Sequence, residues 1–423
     1  MIPSEVDAMT SNQFREVAAE CALAWKHATG ALPDGARSEG LYREMGEPLA
    51  LCLPNQFAEY NLLPDARTAG IAAFAGAGIP WHHGVGGRPG NHLLSSQIQC
   101  VNALAPMIER PEALRATFGA VLDIEAVLPF GDPTNPDAHV AFEWVGLADH
   151  LNEHPGGAGT RGANNTSADA AIRYRTPAGL TEVALIEWKY VEQYHGGPLS
   201  GGAASNETRR ERYQPLFEDP DSPVRVDRLR LDDFFVEPLY QLLRLQLLAW
   251  RMEAAKELGA DRVRLLYAAP SGNERLWRSL HRPPYVGLGD DLPTLWATLL
   301  RRPDRFVLFD TAALVAADAV TSSEFKARYG HLVSNAAPAN DTRADLEQRA
   351  RSAVGWAVTV FRRVGGEGGV LEQVLDSPSL DRCPTDLLEE LTARAEEAAE
   401  LARRLRAEEV ARVLDRLSPP SAE

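Results

Sequence analysis

The chain has 423 residues, 45% of them hydrophobic, enough for one large domain with appendages or for two or three domains. No stretch approaches the roughly 18 uninterrupted apolar residues of a membrane-spanning helix, and the opening MIPSEVDAMTSNQF lacks the basic region and apolar core of a secretory signal, so a cytoplasmic protein with no membrane contact is expected. A formal net charge of −16 favours solubility and does not by itself suggest nucleic acid, but acids gather in the C-terminal tail while arginines cluster elsewhere.

An amphipathic helix is predicted first, with Phe14, Val17, Ala18, Cys21, Ala22 and Trp25 at helical spacing. From Leu32 to Gly90 the chain is broken by Gly and Pro, which predicts short elements and loops. Helical character resumes from Asn91 to Ile108 and again around Pro111 to Leu122, and HVAFEWVG (His139 to Gly146) then alternates as a strand does. After a Gly/Asn-rich loop come two strands, about Ala168 to Arg175 and Glu182 to Tyr190, joined by the short turn TPAGL as a β-hairpin. An arginine-rich insert precedes a strong helix from about Phe235 to Leu258, and DRVRLLYAAP (Asp261 to Pro270) is a further strand.

Helical and strand fragments from Pro283 to Leu332 are expected to cover this core. Beyond Asn335 two helices are predicted, Thr342 to Val364 and Thr385 to Leu417, packing on one another ahead of any oligomerisation. The expected organisation is an N-terminal region (1–90) packed on the core, a central α/β domain with a mixed sheet (91–334), and a C-terminal helical region (335–423). Cys21, Cys52, Cys100 and Cys383 stand far apart without a CxxC pair, as reduced thiols would.

Polar residues interrupt the apolar hairpin at telling places. Glu187 and Lys189, two apart in EVALIEWKYVEQY, point to one face of their strand. Asp169 stands near the start of the preceding strand, which in an antiparallel hairpin lies beside the end of the next. Two carboxylates at an open sheet end suit a hard divalent cation, and an ammonium group beside them can hold or help deprotonate a water. Of 43 basic residues only four are lysines, Lys26, Lys189, Lys256 and Lys326, so one kept here is notable, whether by chemical need or by chance. A solvated Asp with a Glu–Lys pair on an edge strand is the competing interpretation, and the flanking VALI and WKY weigh against it.

Asp, a spacer and then Glu-x-Lys on a hairpin within an α-β-β-β-α-β order resembles the PD-(D/E)xK nuclease superfamily, with its restriction-endonuclease-like fold. More narrowly, NHLLSSQIQCVN, TSADAAIRYR, ALIEWKYVEQY, RRERYQPLF and EPLYQLLRLQLLA resemble an uncharacterised bacterial family of restriction-endonuclease-like proteins, over roughly Leu41 to Leu332. The resemblance implies Asp169 and Glu187 as ligands of Mg²⁺ (or Mn²⁺) and Lys189 as the water-activating lysine. It also implies an upstream acid that shares in holding the cation, for which Glu143 is preferred to Glu109 and Glu153, and a helix glutamine, Gln241 or Gln246. Ala168 stands where the superfamily often has proline. Ser96 and Gln97 are candidates to line the site.

Arg209, Arg210, Arg212 and Tyr213, with Arg225, Arg228 and Arg230, could contact phosphates and stack a base, or could form a salt-bridged surface loop. His82, His83, His150 and His154 have no partners at ligand spacing, and GVGGRPG lacks the Gly-Lys-Ser/Thr end of a P-loop. The expected activity is metal-dependent DNA cleavage in restriction, phage defence or DNA processing, with a protein partner on the C-terminal helices or a homo-oligomer. The rivals are a non-cleaving nucleic-acid-binding or assembly subunit, and a nuclease for RNA or branched DNA.

Overall fold

Hydrophobic spacing places the first helix, α1 (Ser11–Ala28), whose Phe14, Ala18, Ala22 and Trp25 form one buried stripe. The computed structural model describes residues 11–333 apart from 43–44, 134, 155–160, 162–164, 195–198, 200–201 and 281–282. The helices predicted at 342–364 and 385–417, and Cys383, lie outside the described residues. After α1 come a small hairpin of β1 (Gly40–Tyr42) and β2 (Met45–Leu49), helix α2 (Pro64–Gly76), and a second hairpin of β3 (Gly84–Val85) and β4 (Arg88–Gly90). Helix α3 (Ser96–Leu104) begins where the Ser95 hydroxyl accepts from the Ile98 N–H at 3.3 Å, and α4 (Pro111–Phe118) begins on a proline.

Strands β5 (Ala126–Leu128), β6 (Val140–Trp144), β7 (Ala168–Arg175) and β8 (Thr181–Trp188) follow, then helices α5 (Gly202–Phe217) and α6 (Leu239–Ala254). Strand β9 (Arg262–Ala269), a single helical turn α7 (Glu274–Trp277), α8 (Leu292–Leu299), β10 (Phe306–Asp310) and α9 (Ser323–Tyr329) end the described chain. The predicted α-β-β-β-α-β order is present as α3, β6, β7, β8, α6 and β9.

One mixed sheet runs β10-β9-β8-β7, with β5 and β6 sharing the outer side of β7. β8, β9 and β10 are mutually parallel, whereas β7 is antiparallel to β8, β5 and β6. Strand β8 is central and covered on both faces, which explains its near-continuous apolar run. On one face Ile172, Tyr174, Ala184, Ile186 and Trp188 pack with α1 to α4. On the other Ala171, Val183, Leu185 and Tyr267 pack with α5, α6 and α8. The result is a three-layer α/β fold compatible with a restriction-endonuclease-like architecture. Among the described residues no helix is long and apolar enough to cross a membrane, and Cys21, Cys52 and Cys100 are free thiols.

Two helices depart from the sequence expectation. Helix α2 is a 13-residue helix inside the stretch expected to hold only short elements and loops, because its buried side is Ala66, Gly70 and Phe74 and small residues give a weak hydrophobic signature. Helix α5 occupies the arginine-rich insert and buries only Tyr213 and Phe217, leaving it polar almost all round.

Gly70 is required by close approach, since a Cβ there would lie 2.6 Å from Val101 Cγ1 on α3. An exposed helix gains roughly 0.5–1 kcal/mol from Gly→Ala. Here Gly70→Ala is expected to destabilise by about 1–3 kcal/mol in urea unfolding, with part recovered by adding Val101→Ala. A Gly70→Ala protein more stable than wild type would contradict this packing.

Candidate active site

The ladder between β7 and β8 ends at Ala170 and Ile186, and just beyond it Asp169 Oδ2 accepts the Trp188 backbone N–H at 2.6 Å. A side chain thus takes the place of a backbone acceptor and fixes the Asp169 carboxylate against the end of β8. The register sets Asp169 next to Glu187. On the other side of β7, pairing of Phe142 with Ala170 and of Trp144 with Ala168 sets Glu143 opposite Asp169. Glu187 in turn pairs with Tyr267 on β9. Three carboxyl groups from three strands therefore occupy one row across the sheet.

Helices on both faces supply polar partners to this row. From α6, Gln241 Oε1 accepts from Lys189 Nζ at 2.6 Å, and the same ammonium donates to Glu187 Oε1 at 2.6 Å. From α3, Gln97 Nε2 donates to Glu143 Oε1 at 2.7 Å, while Ser167 Oγ donates to Glu143 Oε2 at 2.8 Å. Glu143 adopts a left-handed backbone conformation (φ 47°), costly for a residue with a Cβ and typical of functional positions. On the far side of β8 the Trp188 indole N–H donates to Gln99 Oε1 at 3.0 Å, which anchors the strand end in the α3 layer.

Burial and mutual repulsion set the charges. Burial, with the neighbouring Glu187 and Glu143 carboxylates, pushes the Asp169 carboxyl well above its ordinary range. Burial also raises Glu187 and Glu143, opposed by Lys189 for the first and by Gln97 and Ser167 for the second. Burial alone would lower the Lys189 ammonium, but the Glu187 carboxylate overrides it and the net shift is upward. Three acids face one cation, and a bound cation would relieve the repulsion and burial that raise them.

The donor set fits a hard divalent ion held by two carboxylates and waters. Asp169 uses Oδ2 on Trp188 and Glu187 uses Oε1 on Lys189, so among the described residues Asp169 Oδ1 and Glu187 Oε2 have no hydrogen-bond partner. Glu143 has both oxygens occupied, and among the described residues no group of three or more His, Cys, Asp or Glu is gathered to hold a metal ion. Asp169 and Glu187 are therefore the residues that would hold such an ion, whereas Glu143, expected as a third ligand, has both oxygens engaged by Gln97 and Ser167.

Residues 19–330 match the family described as Restriction Endonuclease associating with ARP. The chain belongs to this restriction-endonuclease-like family. No curated protein and no solved structure matches the chain. The family's match spans every residue of the row.

Several sequence candidates of this family member fall outside the site. Tyr213 is buried and its hydroxyl donates to Glu153 Oε1 at 2.6 Å, so it cannot stack on a base. Glu153 also accepts from the Thr166 N–H and hydroxyl, which commits its carboxylate to that contact rather than to the row, and Glu109 is exposed. Arg210 is paired with Glu207 and Asp232, Arg225 and Arg228 with Asp227, and Arg230 with Asp233. Arg209 donates to Asn206 and lies over the Tyr240 ring, while Arg212 is half-buried on α5. The insert is thus largely the salt-bridged alternative.

Ser96 follows the capping residue Ser95, and Gln246 is buried further along α6, its Oε1 without a hydrogen-bond partner among the described residues. His150 is paired with Glu257, and His83 contacts the Tyr42 hydroxyl. The residue missed from sequence is Ser167. Its signal was available in TSAD, two positions before Asp169 and so on the same side of an extended chain.

A carboxyl group whose pKa is raised on folding contributes stability in acid that is lost as pH rises through the folded value. In buffer with EDTA, Asp169→Asn is expected to raise the melting temperature by on the order of 2 °C, with the gain larger at pH 8 than at pH 5. A lower melting temperature at both pH values would contradict the repulsion.

Proposed function

We propose that the chain is a PD-(D/E)xK-type nuclease that hydrolyses phosphodiester bonds in DNA with Mg²⁺ or Mn²⁺. The observation that carries this reading is the buried Lys189 ammonium, bridged between Glu187 and Gln241 with Asp169 next to Glu187 in the row. Membership of a restriction-endonuclease family supports it independently.

Asp169 and Glu187 would hold the cation, which when bound neutralises the phosphodiester and lowers the pKa of a water. The protein's own groups do the positioning. Trp188 N–H fixes Asp169, and Gln97 with Ser167 fixes Glu143. Lys189 has three N–H donors and uses two on Glu187 and Gln241, which leaves one for the attacking water or a phosphate oxygen. Beside Glu187 it remains an ammonium group, so in this state it orients and stabilises charge. Lysine suits this place because its compact head enters a buried site where the planar guanidinium of arginine does not fit as readily.

The family's description speaks of association with ARP, so an ARP protein is the proposed partner, in restriction or phage defence.

Asp169→Ala and Lys189→Ala are each expected to reduce Mg²⁺-dependent cleavage by roughly 10³-fold or more while keeping the wild-type circular dichroism spectrum. Linear, supercoiled and single-stranded DNA and RNA should be tested side by side, with DNA cut best. Wild-type rates from either variant would refute the assignment.

A further inference from the structure

The Gly-rich segment WHHGVGGRPG, which the catalytic reading leaves unused, is fastened to the site from two sides. Trp81 lies flat on Phe74, with ring centroids 3.8 Å apart and planes 7° apart, and Phe74 packs on Phe142 of β6 at 5.6 Å. The next residue, His82, donates its backbone N–H to Gln97 Oε1 at 2.9 Å, and the other end of that amide donates to Glu143 at 2.7 Å. Consecutive residues of β6, Phe142 and Glu143, thereby hold consecutive residues of the hairpin entrance. Gln97 is buried and both halves of its amide are used, so its orientation is fixed by both partners.

The hairpin itself is compact and exposed. Gly84 has no room for a side chain, since a Cβ would meet Arg88 O at 2.6 Å and Trp81 Cβ at 2.8 Å. Gly86 and Gly87 make the turn with positive φ (56° and 75°). His82 and Arg88 are exposed on it. Arg88 donates to the Gln56 carbonyl at 3.1 Å and has no carboxylate partner among the described residues, unlike Arg210 on α5.

The local charge is also unusual for this chain. Among 423 residues 59 are acidic, yet none occurs between Asp65 and Glu109, a stretch that contains Arg67, His82, His83, Arg88 and His92. A segment that brings no carboxylate of its own to the neighbourhood of a carboxylate row adds nothing to the repulsion a polyanion meets there.

We propose that the β3–β4 hairpin receives the phosphate backbone of the nucleic-acid substrate, with Gln97 as the positioning residue that docks it beside Glu143. This rests on the nuclease reading above and adds where the substrate is held. Arg88 provides a charge-assisted phosphate contact, His82 a second polar contact, and the glycines permit close approach of the backbone.

The test is anisotropy of a fluorescein-labelled DNA duplex with the full-length chain, Ca²⁺ replacing Mg²⁺ so that the strand stays intact. The double variant His82→Ala/Arg88→Ala is expected to bind about ten-fold more weakly, with the slope of log affinity against log salt reduced by about 1. Gln97→Leu should weaken binding and also raise deuterium uptake in the peptide covering 81–90, which mere loss of the Glu143 contact would not do. A double variant with wild-type affinity and slope, or a wild-type chain that binds no duplex, overturns the proposal; unchanged uptake in Gln97→Leu overturns its positioning role. Cleavage is scored separately. If Lys189→Ala cuts as wild type does, the nuclease assignment falls while the binding data still decide the role of the hairpin.

Discussion

Burial of three carboxyl groups in one row, with one ammonium to compensate them, is the constraint around which this fold is arranged. A bare row of this kind would be unstable in a low-dielectric interior. The structure offsets it with specific donors: the Trp188 N–H on Asp169, Lys189 on Glu187, and Gln97 with Ser167 on Glu143. These come from β8 itself, from the residue before β7, and from a helix on one face, while Gln241 steadies Lys189 from the other. Both helical layers hold the row, and three carboxyl groups with one ammonium are a set whose ionisation a bound cation would favour.

Strand β8 shows how environment shifts two carboxyl groups of one strand in opposite directions. Burial acts to raise Glu182 near its start, but hydrogen bonds from Arg264 and Tyr174 and the charge of Arg262 win, and its pKa is lowered. Glu187 near its end is raised, because a single lysine does not overcome burial and the other acids. The first is a satisfied ion pair tying β8 to β9. The second is poised to take a further positive charge.

Much of this was legible in sequence. The β7–β8 hairpin follows from alternation and a short turn, and the convergence of Asp169 with Glu187 and Lys189 follows from antiparallel geometry. Gln97 and Gln241 could be named, but not distinguished from Ser96 and Gln246, because only packing decides which polar side chain on a helix reaches the sheet. Helix α2 was hidden because alanine and glycine form its buried side. Tyr213 was misjudged because a tyrosine among arginines looks solvated, whereas its ring fills the second core and its hydroxyl meets buried Glu153. Arg210 and its neighbours were ambiguous because their partners, Asp232 among them, are brought near only by the fold.

The most direct test of the central claim is Mn²⁺ binding measured by isothermal titration calorimetry on the full chain. The account predicts a site in the wild type that is lost in Asp169→Asn and in Glu187→Gln but survives in Glu143→Gln. A wild type that binds no Mn²⁺, or a site lost in Glu143→Gln and retained in Asp169→Asn, would contradict it.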